Sequence, residues 1–251
     1  MRKQIFLLVF ILFAISFSVF AQEDTIKVEK NAFLHKKVSG LSFRIGLSQK
    51  EVSNDRLLTA IDIEQIKNIG VSFAVSGAYF IADNVAWSAK VNYGFSSEQY
   101  TLSSKILNLL LDAEIYNTNI ATSTFQFGTG VKNYVPIGNN KRFFIFNETN
   151  ISYNYINSLT RDVYDRGKDI KKMFKTTHEI SLGLSPGLMY FLKDGFAFEF
   201  AFNPIVIYYG RSFIEQDEEK GGSYSNFDID LKLNILNIYF GFAYYFGTNK
   251  R

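Results

Sequence analysis

The sequence predicts an all-β protein, an eight-stranded antiparallel up-and-down transmembrane β-barrel. Three observations favour this fold class. Large apolar or aromatic residues recur at every second position over many segments, which is the period of a strand with one apolar face. Tight turns and long polar connections alternate along the chain. Aromatic residues make up 17% of the chain, and its mean hydropathy is close to zero. A transmembrane barrel can have this moderate hydropathy, because only alternate residues of each strand contact lipid.

The last predicted strand, 227–246, shows this period most clearly in its second half. One face there is entirely large and apolar or aromatic, and the other mixes asparagine, glycine, alanine and tyrosine. Such a strand would promote aggregation in water, whereas lipid is a suitable solvent for it in a closed barrel. Apolar residues of the first half have the opposite parity, so we predict a β-bulge near Ile235. The apolar face comprises Leu236, Ile238, Phe240, Phe242, Tyr244 and Phe246.

An apolar run near the start of the chain predicts a secretory signal peptide. The run, 5–20, follows two basic residues and is short for a transmembrane helix, which is the alternative interpretation. The residues around Ala21 fit cleavage after that position. We therefore predict a signal peptide over 1–21 and a polar periplasmic lead-in over 22–37.

Composition excludes several classes of protein. The chain has no cysteine, which excludes a disulfide framework and a lipoprotein anchor. Loss of Arg2 and Lys3 with the signal peptide takes the formal net charge from +3 to +1, and a near-neutral chain gives no reason to expect a nucleic-acid partner. The sequence has no glycine-rich phosphate-binding motif, and its acidic run 217–219 is interpreted as a solvated tip. No cofactor and no metal are therefore expected.

Eight strands are predicted in a barrel domain over 38–246, followed by a short tail over 247–251. Tight turns at 82–84, 136–141 and 193–195 alternate with four long connections, which places both ends of the barrel domain on the periplasmic side. A soluble lipocalin-like barrel is the alternative, but aromatic residues near strand ends favour the membrane. The predicted strands are 38–48, 69–81, 85–95, 118–135, 142–156, 176–191, 196–209 and 227–246, and the long connections are 49–68, 96–117, 157–175 and 210–226.

Charged residues occur in mid-strand at positions whose parity points into the barrel. The interior of an eight-stranded barrel is just wide enough to be filled by side chains, and an unpaired buried charge costs several kcal/mol. We therefore predict an internal ion-pair network that plugs the lumen; a proton or ion path, or a gated pore, is the alternative. The predicted members are Arg44, Lys90, Lys132, Glu148 and Glu199 at similar heights, with Glu179 above them.

Two of the long connections are candidates for contacts outside the membrane. The second is unusually apolar. It is expected to extend a strand pair above the membrane, to form a short helix at the lipid surface, to cap the barrel mouth, to contact a protein partner or hydrophobic ligand, or to form a local hydrophobic cluster. The third mixes charges of both signs over 161–175, which suggests contact with lipopolysaccharide, the alternative being a solvated loop. The apolar residues of the second connection are Ile106, Leu107, Leu109, Leu110 and Leu111.

The histidines do not suggest catalysis. The chain has only His35 and His178. His178 and Ser181 have opposite parity, so they would lie on opposite faces of the barrel wall and could not pair as base and nucleophile. We predict no catalytic residue and no enzymatic activity.

The chain resembles the small outer-membrane β-barrel families of Gram-negative bacteria, which include OmpX-like, OmpW-like and OmpA-barrel proteins, and in particular their Bacteroidetes type. The resemblance rests on the cleavage region 19–22, the segment 183–191 before the turn at 193–195, and the end of the last strand, 241–246. It implies a location in the outer membrane, surrounded by outer-membrane lipid and lipopolysaccharide. It also implies that the barrel-assembly machinery reads the last strand during insertion, through Phe242, Tyr244 and Phe246.

A barrel of this size does not fix a function. The sequence is interpreted as a structural or surface-interaction protein that contacts a partner through its extracellular loops. The alternatives are transport of small or hydrophobic molecules across the outer membrane, and an accessory role in a protein secretion machinery.

Overall fold

The computed structural model describes residues 34–58, 61–103, 115–138, 142–164, 169–202, 205–216, 219–230 and 238–248. The predicted signal peptide, the apolar segment 106–111 and the predicted bulge near Ile235 lie outside these ranges. Within them, no helix is long and apolar enough to cross a membrane.

The described chain is built from long strands, each antiparallel to its partners. Alternating side chains explain why: apolar residues can face outward and small or polar ones inward along the whole strand. The strands are β1 Ser39–Leu58, β2 Ile61–Ala82, β3 Val85–Ser103, β4 Ile115–Ile137, β5 Phe143–Tyr164, β6 Asp169–Lys193, β7 Phe196–Phe202, β8 Ile205–Gln216, β9 Glu219–Asp230 and β10 Ile238–Phe246.

Eight of these strands close into a ring. Each strand from β1 to β6 pairs with the next, β7 pairs with β10, and β10 returns to β1, where Ser39 lies opposite Phe246. A closed ring leaves no unpaired strand edge, which is the condition for a sheet to cross lipid. The predicted eight-stranded up-and-down fold is confirmed.

The predicted strand 196–209 is described as two strands, β7 and β8, which pair in turn with β6. Likewise, β9 and β10 both overlap the predicted strand 227–246, with 231–237 outside the described residues.

The predicted long connections are wrong in extent, because much of each is β-hairpin. The β1–β2 ladder continues to Leu58 opposite Ile61, and the β5–β6 ladder continues to Tyr164 opposite Asp169. A transmembrane strand needs only about 9–11 residues, so the far halves of these strands extend beyond the membrane. The sequence pattern marked only the lipid-facing parts, because a hairpin in water needs no apolar face.

Two predicted turns are confirmed. Both lie at the end of the barrel where β1 begins and β10 ends. Asn84 in the β2–β3 turn and Gly195 in the β6–β7 turn have positive φ angles of 61° and 77°, which asparagine and glycine adopt readily. The end of the predicted lead-in binds at the same place, since Asn84 N donates to Leu34 O at 2.9 Å and Lys36 N donates to the Asp83 carboxylate at 2.8 Å. Leu34 itself is fully buried.

Candidate functional site

The lumen holds three layers, and the lowest, near the short turns, is an apolar and aromatic cluster. Its rings interlock: the Phe80 and Tyr134 centroids are 5.5 Å apart, and those of Phe191 and Tyr245 are 5.6 Å apart. The strand period explains the arrangement, because Tyr245 points inward while its neighbours Tyr244 and Phe246 point outward. The largest members of this aromatic cluster are Leu34, Phe80, Tyr134, Phe144, Phe146, Met189, Phe191 and Tyr245.

The second layer is a buried network of two cations and two carboxylates. Arg44 lies 3.4 Å from Glu148 and 3.6 Å from Glu199. Lys132 lies 3.9 Å from Glu148 and 3.5 Å from Glu199. All four side chains are less than one tenth exposed. Each charge therefore has two partners of opposite sign, and this ionic layer is neutral as a whole.

Sheet register brings these charges together. Lys132 lies directly opposite Glu148 on the β4–β5 ladder. Arg44 and Glu199 both lie opposite Gly241, one on each side of β10. Because Gly241 has no side chain, the guanidinium group can reach across β10 to the carboxylate.

Neutral groups complete the ionic layer. Tyr245 donates to Glu199 at 2.8 Å, and Ser88 donates to the other carboxylate, Glu148, at 3.3 Å. Tyr134 and Tyr245 share a hydrogen bond of 3.1 Å between their hydroxyls. These tyrosines were not among the predicted site residues. Their inward parity could have indicated them, since Tyr134 lies two positions along the strand from Lys132.

The other two predicted members lie apart from the four. Lys90 is half-buried beside the layer and interacts electrostatically with Glu148, but it forms no ion pair with a carboxylate in the described chain. Glu179 lies higher, where it accepts a hydrogen bond of 2.7 Å from Asn154. The structure thus brings Arg44, Lys132, Glu148 and Glu199 into one network and places Glu179 in the layer above.

The third layer is a polar cavity of about 390 Å³ above the charges. Glycines and short polar side chains leave this space; a Cβ atom at Gly46, for example, would collide with the Ser72 hydroxyl and lie 2.6 Å from the Tyr239 ring. The lining includes Gly46, Ser72, Asn92, Gln126, Asn154 and Glu179. The same inward face stays polar beyond the membrane, where the Thr177 and Ser212 hydroxyls are 2.8 Å apart.

An ammonium group and a phenol interact in the part of β6 and β9 that lies outside the membrane. The pKa of Tyr224 is below its usual value, chiefly because of its hydrogen bond with Lys175. The Lys175 ammonium also lies over the Tyr224 ring, 5.2 Å from its centroid.

The outer wall carries the three residues predicted as the assembly signal. Phe242, Tyr244 and Phe246 are each about half exposed on β10, and the Phe242 ring stacks on Phe196 at 5.5 Å. Outward residues of the other strands are also mostly large and apolar. A wall of this kind is suited to lipid.

The two histidines lie outside the lumen layers. His178 is exposed on the outer wall and Ser181 is buried in the lumen, so the two lie on opposite faces as predicted. His35 lies 3.7 Å from Asp83 near the β2–β3 turn. Within the described residues, no group of three or more histidine, cysteine, aspartate or glutamate side chains could hold a metal ion.

A family described as "Outer membrane protein beta-barrel domain" matches residues 20–204 of the chain. The chain belongs to this family. It is therefore an outer-membrane protein, and both the predicted resemblance and the predicted location are confirmed. The Bacteroidetes type and the signal peptide stay predictions.

Comparison with solved structures gives matches over most of the chain. OprG from Pseudomonas aeruginosa is 13% identical, with 86% of this chain and 99% of that chain covered and a TM-score of 0.42. A major outer membrane protein from Thermus thermophilus is 14% identical, with 83% and 99% covered and a TM-score of 0.43. Among curated proteins, no match was found.

Proposed function

We propose that this outer-membrane barrel acts as a structural or surface-interaction protein whose lumen is closed. One observation carries the proposal: the aromatic cluster and the ionic layer occupy the lumen one above the other, and the members of both are buried. Side chains that fill the interior leave no water-filled route.

Charge balance supports a plug rather than a path. An ion passing the layer would have to separate Arg44 and Lys132 from Glu148 and Glu199, and breaking buried ion pairs costs several kcal/mol. Below the charges, the ion would meet the fully buried rings of Phe80, Phe144 and Phe146. Apolar rings offer an ion no replacement for its hydration shell.

The extended hairpins supply the surface for interaction. They raise polar strands well beyond the apolar wall, as in β5 and β6, where Arg161 lies opposite Lys172. We propose that this extracellular part, with the apolar segment 106–111, contacts a protein partner or lipopolysaccharide. We further propose that the barrel-assembly machinery reads Phe242, Tyr244 and Phe246 during insertion, and that the protein is not an enzyme.

Transport is the second candidate function, and the cavity of about 390 Å³ is the observation that favours it. A small polar molecule could occupy this space above the ionic layer. Passage to the periplasm would then require the layer and the aromatic cluster to move aside.

Conductance in planar bilayers tests the proposal. The purified wild-type protein is expected to be silent, and the Glu148→Gln, Glu199→Gln double variant is the probe of gating. Glu215→Gln, which changes an exposed carboxylate on β8, is the matched control. A large rise in conductance of the double variant with unchanged folding would support a gated pore and overturn the closed-lumen proposal, as would open channels of the wild type. Uptake of a radiolabelled small polar solute or, in a parallel assay, of a radiolabelled apolar compound into proteoliposomes would support transport.

A further inference from the structure

An aromatic and basic cluster lies on the outer wall of β5, β6 and β8, and no function described above uses it. We call it the outer-wall cluster; it consists of Tyr153, Tyr155, His178, Arg211 and Phe213. Sheet register brings these residues together, since His178 lies opposite Tyr155 on one side and opposite Arg211 on the other. All five side chains are exposed.

The cluster lies where basic residues first interrupt the apolar wall above the short turns. On β6 the outward residues Leu188, Leu182 and Ile180 are apolar, and His178 is the next outward position. On β8 Arg211 follows Tyr209 at the same height. Farther out, exposed apolar rings recur at Phe213 and at Phe174 on β6.

The apolar stretch has the length of a lipid core. Ile180 is 12 residues from Leu192, which adjoins the β6–β7 turn. With a rise of about 3.3 Å per residue and a strand tilt of about 40°, this spans about 30 Å. The apolar band of such barrels is about 25 Å tall. His178 and Arg211 therefore lie at the level of the lipid headgroups on the side opposite the short turns.

Contacts within the cluster orient its polar groups. The Tyr153 hydroxyl is 2.7 Å from His178 Nδ1, which fixes the imidazole and directs Nε2 away from Tyr153. The His178 ring centroid is 5.3 Å from Tyr155 and 6.0 Å from Phe213. The Arg211 guanidinium lies over the Phe213 ring, 5.2 Å from its centroid, an arrangement that stabilises a cation.

Basic residues outnumber acidic ones on this face. Arg161 and Lys172 lie opposite each other farther from the membrane, on the outward faces of β5 and β6. Glu215 is the acidic residue on the outward face of β8, opposite Phe174.

We propose that the outer-wall cluster binds the phosphate of a phosphorylated lipid headgroup in the outer leaflet. Arg211 supplies a planar, charge-assisted donor pair that suits phosphate, and His178 Nε2 supplies a further donor when it carries a proton. The apolar wall directly below, at Ile180 and Tyr209, accommodates the acyl chains of the same lipid, which favours a lipid over free phosphate. This site rests on the proposed surface-interaction role and names one ligand class for it.

Lipid binding to the purified full-length barrel tests the proposal. Native mass spectrometry from detergent micelles would count bound diphosphoryl lipid A and, in parallel, lipid A from which the phosphates have been removed. The variants are Arg211→Gln, His178→Gln and the charge-preserving Arg211→Lys. Lys193→Gln is the control, because it removes an exposed cation at the opposite end of β6. A heat-modifiable gel shift confirms that every variant is folded.

We expect wild type to prefer the phosphorylated lipid, and Arg211→Gln to weaken its binding by about tenfold, the usual value of one charge-assisted hydrogen bond. His178→Gln should weaken it less. Arg211→Lys should fall between wild type and Arg211→Gln, because lysine keeps the charge and loses the planar donor pair, while Lys193→Gln matches wild type. Equal binding of both lipids, an equal loss in the control, or displacement of the lipid by millimolar inorganic phosphate would overturn the proposal. None of these results bears on the absence of conductance in planar bilayers. The lipid-binding proposal can therefore fail while the closed-lumen proposal is retained.

Discussion

The Tyr245 hydroxyl donates a hydrogen bond to the Glu199 carboxylate at 2.8 Å, and this contact joins the aromatic cluster to the ionic layer. Tyr245 belongs to β10 and Glu199 to the neighbouring β7, so the bond also crosses a seam of the ring. Both side chains are buried almost completely. A single phenol therefore serves the polar layer with its hydroxyl and the apolar layer with its ring.

Replacing Tyr245 with phenylalanine should keep the ring packing, leave the Glu199 carboxylate without this donor and remove the hydroxyl contact with Tyr134. Loss of a buried hydrogen bond to a charged group costs about 1.5–3 kcal/mol, so we expect the free energy of unfolding in urea to fall by that amount. Tyr244→Phe is the matched control, because Tyr244 is the adjacent tyrosine on the outer face. Equal effects of the two substitutions would show that the Tyr245–Glu199 bond adds nothing.

Removing one charge from the ionic layer should cost more than removing two of opposite sign. Glu148→Gln leaves Arg44 and Lys132 with one carboxylate between them, and breaking a buried pair costs about 3–5 kcal/mol. Adding Lys132→Met restores neutrality and should recover most of that loss. Unfolding of the two single variants and the double variant in lipid vesicles forms a double-mutant cycle. Strictly additive losses would show that the charges are not coupled.

Gly241 should not tolerate a side chain. A Cβ atom there would collide with the Phe43 carbonyl oxygen and lie 2.7 Å from Arg44 Cα. Gly241→Ala should therefore push β10 away from β1 and destabilise the barrel by about 3 kcal/mol, visible as loss of the heat-modifiable gel shift at lower temperature. Gly77→Ala is the control, since a Cβ atom at Gly77 has nothing within 4 Å. A Gly241→Ala barrel with the wild-type thermal gel shift would contradict the close packing of β10 against β1.

Leu34→Ala should destabilise the barrel although Leu34 precedes the first strand. Its side chain is fully buried in the aromatic cluster, and truncating a buried leucine costs about 2–5 kcal/mol. Urea unfolding measures the loss. Lys36→Ala, which changes an exposed side chain in the same segment, should have no effect. If both variants unfold like wild type, the lead-in does not contribute to the cluster.

Phe246→Ala should lower the yield of inserted barrel if the assembly machinery reads the end of β10. Assembled protein is measured in outer-membrane fractions by the heat-modifiable gel shift. Phe227→Ala removes another exposed phenylalanine, on β9, and controls for loss of apolar surface alone. Equal yields from the two variants would remove Phe246 from the proposed signal.

The fold could be predicted because lipid imposes a period of two on the outer wall. Residues such as Trp87, Phe127 and Phe242 reveal that period directly. The same constraint explains the errors. Residues 157–164 and 169–175 lie beyond lipid and pair through the backbone, which leaves no side-chain period to detect.

The members of the ionic layer could be predicted where strand parity and distance from the turns determine which residues meet. They could not be predicted where side-chain geometry determines the contact. Arg44, Lys132, Glu148 and Glu199 share an inward parity and a similar distance from the turns, so their meeting followed from the sequence. Whether Lys90 also pairs depends on a few ångströms of side-chain reach. Inward parity could have placed Tyr245 in the lumen, but it does not indicate which group the hydroxyl contacts, so its bond to Glu199 could not be predicted.

The position of Leu34 also bears on how the protein enters the membrane. Leu34 comes before β1 and Tyr245 comes from the last strand, yet both are buried in one cluster. This cluster cannot be completed until the last strand has joined the first. Ring closure and sealing of the lumen are therefore expected in the same step of insertion, so that no closed but leaky intermediate exposes the periplasm.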